Sequence, residues 1–146
     1  MSSEKQISVS ITVPFPRELI FSVLANPEVH TSFDGSGTVK DLVSGSILTD
    51  IGDVFRVKMQ MWGFSYKIKN TVVEYEQDSL IAWSHMGKHR WRYKLSDTDT
   101  GTLITETFDW SYSVFPWLIE LAGYPRSHPE QMKETLRRLV DYLEKL

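Results

Sequence analysis

One acid stands where an acid is costly. In TETFDWSY, residues 105–112, together with the preceding Ile104, alternate positions put Ile104, Glu106, Phe108, Trp110 and Tyr112 on one side of a strand and Thr105, Thr107, Asp109 and Ser111 on the other. A carboxylate moved into a dry core costs several kcal/mol, roughly, unless it is paired, protonated or hydrated. Glu106 therefore pairs with a structural partner such as an arginine, sits at a wet rim, or looks into a cavity where water or a ligand donor satisfies it. If the site is dry, desolvation raises its pKa and makes it a proton donor or acceptor, which singles out Glu106 as the candidate catalytic residue.

Few other polar groups fall on the expected inner faces. Tyr66, Asn70 and Tyr93 are in phase with Ile68, Trp91 and Leu95, so a small number of hydrogen-bonding tips converge inside an aromatic lining. Such pockets orient a ligand by a few polar contacts while apolar burial supplies most of the affinity. The candidate ligand-binding set is Tyr66, Ile68, Asn70, Trp91, Tyr93, Ile104, Glu106, Phe108, Trp110 and Trp117. A buried tyrosine also commonly tethers a neighbouring carbonyl, and that reading stays open for Tyr66 and Tyr93.

His85 and His89 flank a tight turn at Gly87-Lys88, and the loop length decides their sides. A two-residue loop pairs Met86 with His89 and leaves His85 and Trp83 outside, whereas a three-residue loop gathers His85, His89, Trp83 and Trp91 on one face. Two histidines with no third ligand at metal spacing do not make a zinc site, so no metal is expected. The sequence has no Gly-x-Ser-x-Gly elbow, His-Glu-x-x-His, dinucleotide fingerprint or Walker loop, which leaves hydrolase, metalloprotease, dehydrogenase and kinase readings without support. No cofactor is expected.

The elements that would position these groups follow from periodicity. KQISVSITVP alternates Ile7, Val9, Ile11 and Val13 inward, a half-buried strand ended by Pro14 and Pro16. FPRELIFSVLANP changes period to a short helix stopped at Asn26-Pro27, and a second short helix is expected to about Ser32. The glycines of DGSG, residues 34–37, serve a turn that opens a strand, which is the wrong context for a phosphate loop. Six strands with short turns come next, the arrangement of an antiparallel meander. SHPEQMKETLRRLVDYLEKL repeats Met132, Leu136, Leu139, Leu143 and Leu146 along one stripe, with Ser127 and Glu130 spaced as a capping box and Pro129 in the first turn.

This order predicts an α+β helix-grip fold: a curved seven-strand antiparallel sheet around a long C-terminal helix, with two short helices after the first strand. The 146 residues fit one domain, 1–146. A curved sheet that one helix cannot fill leaves a pocket near its open end. SVFPWLIELAGYP, residues 113–125, is too apolar for a free connector and is read as a lid that includes Trp117, with core packing and membrane contact as the other readings.

Bulk properties exclude several classes. A net charge of -3 and scattered basic residues do not suit a phosphate backbone, so no nucleic-acid partner is expected. The absence of cysteine rules out a disulfide framework and thiolate chemistry, and no stretch has the length and apolarity of a membrane span. A cytoplasmic location and a monomer or homodimer are the expectations, with no stable membrane insertion.

Several stretches, namely ITVPFPRELIFSVLANPEVH, GDVFRVKM, LIAWSH, GTLITETFDWS and the closing helix, resemble the START-related, birch-pollen-allergen-like (SRPBCC) superfamily, in its polyketide cyclase/dehydrase and lipid transport branch. The resemblance runs from about Lys5 to Leu146. It implies a START-like ligand-binding domain with a deep hydrophobic cavity for a lipid, a polyketide or another aromatic small molecule. Three functional readings stand: a binder or carrier of such a molecule, a cofactor-free cyclase or aromatase in which Glu106 with a tyrosine or histidine moves protons, and a protein-interaction module using residues 114–121.

Overall fold

The computed structural model describes residues 5–33, 39–61, 63–84, 88–112 and 124–146; the side chain of Tyr66 lies outside that set, as do all of His85 and Trp117. The turn expected at residues 34–37 and most of the connector expected as a lid also lie outside it. The chain forms β1 (Gln6–Val13), α1 (Arg17–Leu24), a 3-10 turn (Pro27–Val29), α2 (His30–Phe33), β2 (Val39–Ser44), β3 (Val54–Met61), β4 (Phe64–Glu76), β5 (Leu80–Ser84), β6 (Arg90–Asp97), β7 (Thr102–Asp109) and α3 (Tyr124–Glu144).

Alternation in β1 behaves as its residue types demand. Ile7, Val9, Ile11 and Val13 turn inward, and Gln6, Ser8, Ser10 and Thr12 face solvent. Pro16, with an extended φ of -73° and ψ of 152°, sits at the boundary before helix α1, which buries Ile20, Phe21, Val23 and Leu24. It stops because Pro27 cannot continue it, while the Asn26 Oδ1 accepts the Glu28 amide at 3.2 Å and caps the next turn.

The seven strands form one antiparallel sheet in the order β1-β7-β6-β5-β4-β3-β2. From β2 to β7 every strand pairs with its sequence neighbour, and β1 closes on β7. A bulge between Val72 and Glu74 interrupts the 13-residue β4, the kind of insertion that bends a strand. Where β7 begins, Gly101 lies so close to the end of β1 that a Cβ there would collide with the Val13 carbonyl oxygen. Thr102 Oγ1 then donates to the Phe15 carbonyl at 2.7 Å, which fixes the chain leaving β1 against β7.

Helix α3 lays Met132, Leu136, Leu139 and Leu143 into the interior, packing mainly against β1 and α2. Leu146, expected on the same stripe, lies beyond the helix end and is 66% exposed. The expected capping box is also corrected. The helix begins at Tyr124, so Ser127 and Pro129 lie inside it and Ser127 cannot serve as its cap. The exposed face is laced by Arg137 and Arg138, both paired with Glu134.

Candidate functional site

The ladder fixes where Glu106 points. It stands opposite Val9 on β1 and Tyr93 on β6, between an Ile11–Ile104–Leu95 rung on one side and an Ile7–Phe108–Trp91 rung on the other. Glu106 is 2% exposed, and the Tyr93 hydroxyl donates to its Oε2 at 3.2 Å. The rim position considered from sequence is therefore overturned, because the inward side of β7 is covered at this point.

Two apolar clusters meet at the acid. The larger contains Ile104, Leu95, Tyr93, Trp83, Phe55 and the α3 leucines; the smaller is Phe108, Trp110 and Met132. Val9 and Trp91 pack against both, and Glu106 occupies the rung between them. In the smaller cluster Phe108 lies 4.7 Å from Trp91, 5.6 Å from Trp110 and 5.2 Å from the His89 ring, centroid to centroid. A carboxyl group beside a phenol, walled by aromatic rings, can hold a hydroxyl, carbonyl or amine of an otherwise apolar molecule, or move a proton to or from it.

Of the residues expected at the site, Trp91, Tyr93, Ile104, Glu106, Phe108 and Trp110 come together on β6 and β7 and just past its end. Ile68 and Asn70 do face inward, but they lie on β4, with β5 and β6 between them and β7. Asn70 is buried opposite Phe55, within the larger cluster's strands, and not at the acid. Tyr66 is set opposite Met59 in the backbone ladder. Tyr112 does not join the inner row: β7 ends at Asp109, the Trp110 amide donates to the Lys5 carbonyl at 2.9 Å, and Tyr112 turns out under the Arg90 guanidinium, 3.7 Å from its ring.

The register also decides the histidine turn. Trp83 pairs directly with Trp91, the parity of the three-residue loop, so both indoles and His89 share the inner side; His85 lies outside the described residues.

A further buried group escaped the sequence reading. His30, at the start of α2, is 6% exposed and stacks on Trp83 at 4.8 Å and 22°, with Phe33 and Phe55 edge-on to it. Its Nε2 lies 2.9 Å from the Leu24 carbonyl, which can only accept, so Nε2 carries a proton. Trp83 in turn lies 5.7 Å from Tyr93, giving a continuous run of rings from α2 to the acid. The one sign of this in the sequence is the three-residue step from His30 to Phe33, which puts both on one helical face.

The opposite face of the same strands carries a charge network. Arg92 on β6 reaches across the small Ala82 to grip Glu74 with Nε at 2.8 Å and Nη2 at 2.7 Å, and Nη2 also meets Asp109 Oδ2 at 3.0 Å. Arg90 adds a 2.7 Å contact to Glu74, and Gln6 and Ser111 complete the coordination of Asp109. The Arg92 and Arg90 hydrogen bonds hold the Glu74 carboxyl below its usual pKa against the effect of burial. For Asp109 burial pushes upward, but the Ser111 hydroxyl and amide and Arg92 together outweigh it, and the carboxyl is held low. Among the described residues no three His, Asp or Glu gather as a metal site.

A grip of curved sheet on a C-terminal helix, with an acid and a phenol inside its apolar interior, defines the class: this is the helix-grip fold that the START-related resemblance implies. An uncharacterized protein of Mycobacterium tuberculosis is 32% identical over 141 residues, covering 93% of this chain and 63% of that protein. The chain thus spans about 63% of the length of the curated relatives it matches. No family model matches. Among solved structures, the AHSA1-like protein from Aeromonas hydrophila superposes with a TM-score of 0.66 at 16% identity, over 96% of this chain and 92% of that one. The Polyketide_cyc-like protein from Corynebacterium glutamicum gives 0.57 at 16% identity, over 99% and 88%. At these identities the likeness establishes architecture. No described helix is long and apolar enough to cross a membrane.

Proposed function

We propose that this chain, as one START-like domain, binds a small hydrophobic or aromatic molecule, lipid- or polyketide-like, between the sheet and α3, with the Tyr93–Glu106 pair holding the polar end of the ligand. The observation that carries the reading is the placement of that pair on the rung separating two apolar clusters. A protein selected for packing alone gains nothing from a carboxyl group there, since an apolar residue of similar volume is commonly as stable or more so. The aromatic walls at Trp91, Phe108 and Trp110 suit a flat or greasy body, and the acid suits a hydroxyl or carbonyl on it.

A second reading has its own support in the 3.2 Å contact between the Tyr93 hydroxyl and the carboxyl. Such a pair could take a proton from a carbon flanked by carbonyls and return one to oxygen, the work of a cyclase acting on a poly-keto chain. Native mass spectrometry of gently purified protein tests the first reading, and recovery of no hydrophobic compound, together with no uptake from an offered fatty-acid and polyketide panel, overturns it. Glu106→Gln separates the two: a binder keeps affinity within about tenfold, whereas a proton-transfer enzyme loses turnover by about 100-fold or more.

A further inference from the structure

The outer face of the sheet is divided electrostatically. On β6 Arg90 and Arg92 are held by Glu74 and Asp109, while Lys94 further along the strand is exposed and joins no ion pair among the described residues. On β3 and β4 the opposite holds. Arg56 stands directly across from Lys69, and Lys58 directly across from Lys67, all four exposed on the same side of the hairpin. On β2 Asp41 stands directly across from Lys58 in the ladder, and none of the four cations joins an ion pair among the described residues. Like charges directly opposite in a ladder are destabilising, so two consecutive repulsive rungs are a cost the fold carries, on a chain whose net charge is -3. Just past these rungs the hairpin turns at Gly63, with a φ of 80°, and presents Phe64, in phase with Ile68 and so on the side opposite the four cations, at 74% exposure, the most exposed of the large apolar side chains described.

We propose that the tip of the β3–β4 hairpin docks end-on to an anionic phospholipid bilayer, with Phe64 entering the interface, Lys58 and Lys67 nearest the headgroups, and Arg56 and Lys69 behind them. Phe64 and Lys67 are three residues apart, about 10 Å along a strand, so with the tip at the headgroup level the nearest lysine pair lies within about one Debye length of the surface charge. An exposed aromatic tip with exposed cations behind it along the strands matches the two requirements of peripheral binding, apolar insertion and electrostatic attraction. The cations alone would suit any polyanion; the aromatic tip is what selects a membrane. This surface is separate from the Tyr93–Glu106 site, so its failure leaves that reading untouched.

Sedimentation with vesicles of phosphatidylcholine alone, and of phosphatidylcholine mixed equally with phosphatidylglycerol, tests the proposal. Binding is expected to the anionic vesicles only, to weaken steeply with added salt, to fall about fivefold or more in the Lys67→Gln/Lys69→Gln double variant, and to fall severalfold in Phe64→Ser with its salt dependence unchanged. All three substituted side chains are exposed, and a thermal melt of each variant verifies folding. Equal binding to both vesicle types overturns the proposal, as does a double variant that binds like the parent. Binding to a single-stranded oligonucleotide that exceeds vesicle binding and ignores Phe64→Ser also overturns it.

Discussion

Asp109 shows how one side chain can be buried and charged at once. It is 1% exposed, yet it accepts from Arg92, Gln6 and both the amide and hydroxyl of Ser111, so its lone pairs are used and its charge is opposed. Removing the charge while keeping the shape, in Asp109→Asn, leaves Arg92 with one acid and should lower stability by about 1–3 kcal/mol, read by urea denaturation. The pH dependence has a fixed sign. Glu74 and Asp109 both have carboxyls held below their unfolded values, so the stability they contribute is full above the unfolded range, near pH 4, and is lost as pH falls through their folded values. The wild type should therefore melt progressively lower from about pH 5 downward, and a Glu74→Gln variant should show a shallower decline. A Glu74→Gln melting curve that parallels the wild type would contradict the assignment. The partly exposed Glu134, held at about 2 by Arg137 and Arg138, follows the same direction but is screened by solvent.

Strands and helices were legible wherever one side chain in two, or one in three or four, had to be apolar. That is why β1, the β2–β7 meander and the Met132–Leu143 stripe follow from residue order, each with one face committed to the interior. The start of α3 was not legible, because Ser127, Glu130 and Pro129 satisfy the rules of a helix start while Tyr124–His128 continues the helix upstream of them. A proline so placed removes the amide that would bond to the Pro125 carbonyl. Pro129→Ala should accordingly stabilise the protein by about 1–3 kcal/mol in thermal melts, whereas destabilisation would mean the first turn is held by something other than its own ladder. In the sheet, Lys67→Glu converts the repulsive Lys58–Lys67 rung into an attractive one and should add roughly 0.2–1 kcal/mol. That gain in stability should accompany a loss of vesicle binding, the pattern expected when a destabilising feature is kept for use.

At the scale of the whole molecule the candidate site was half legible. Alternation alone set Glu106 among Ile104 and Phe108, and the pairing of β6 with β7 then brought Tyr93 to it. What residue order could not give was the parity of the β5–β6 turn, on which the positions of Trp83 and His89 depend, or the approach of His30 from a helix more than fifty residues away in the chain. Both are products of long-range packing with no local code. The interior that results is divided, with apolar clusters on either side of one hydrogen-bonded polar pair. Replacing that pair by apolar groups of similar shape, Glu106→Leu with Tyr93→Phe, removes this donor and this acceptor together. If the pair exists to hold a ligand, the double variant should fuse the clusters, match or exceed the wild type in unliganded stability by up to about 4 kcal/mol, and lose the shift in melting temperature that a bound hydrophobic molecule confers. If the pair is a structural pin, the double variant should instead melt lower and bind as before. Differential scanning fluorimetry on both proteins, with and without whichever compound native mass spectrometry recovers, distinguishes the two outcomes in one experiment.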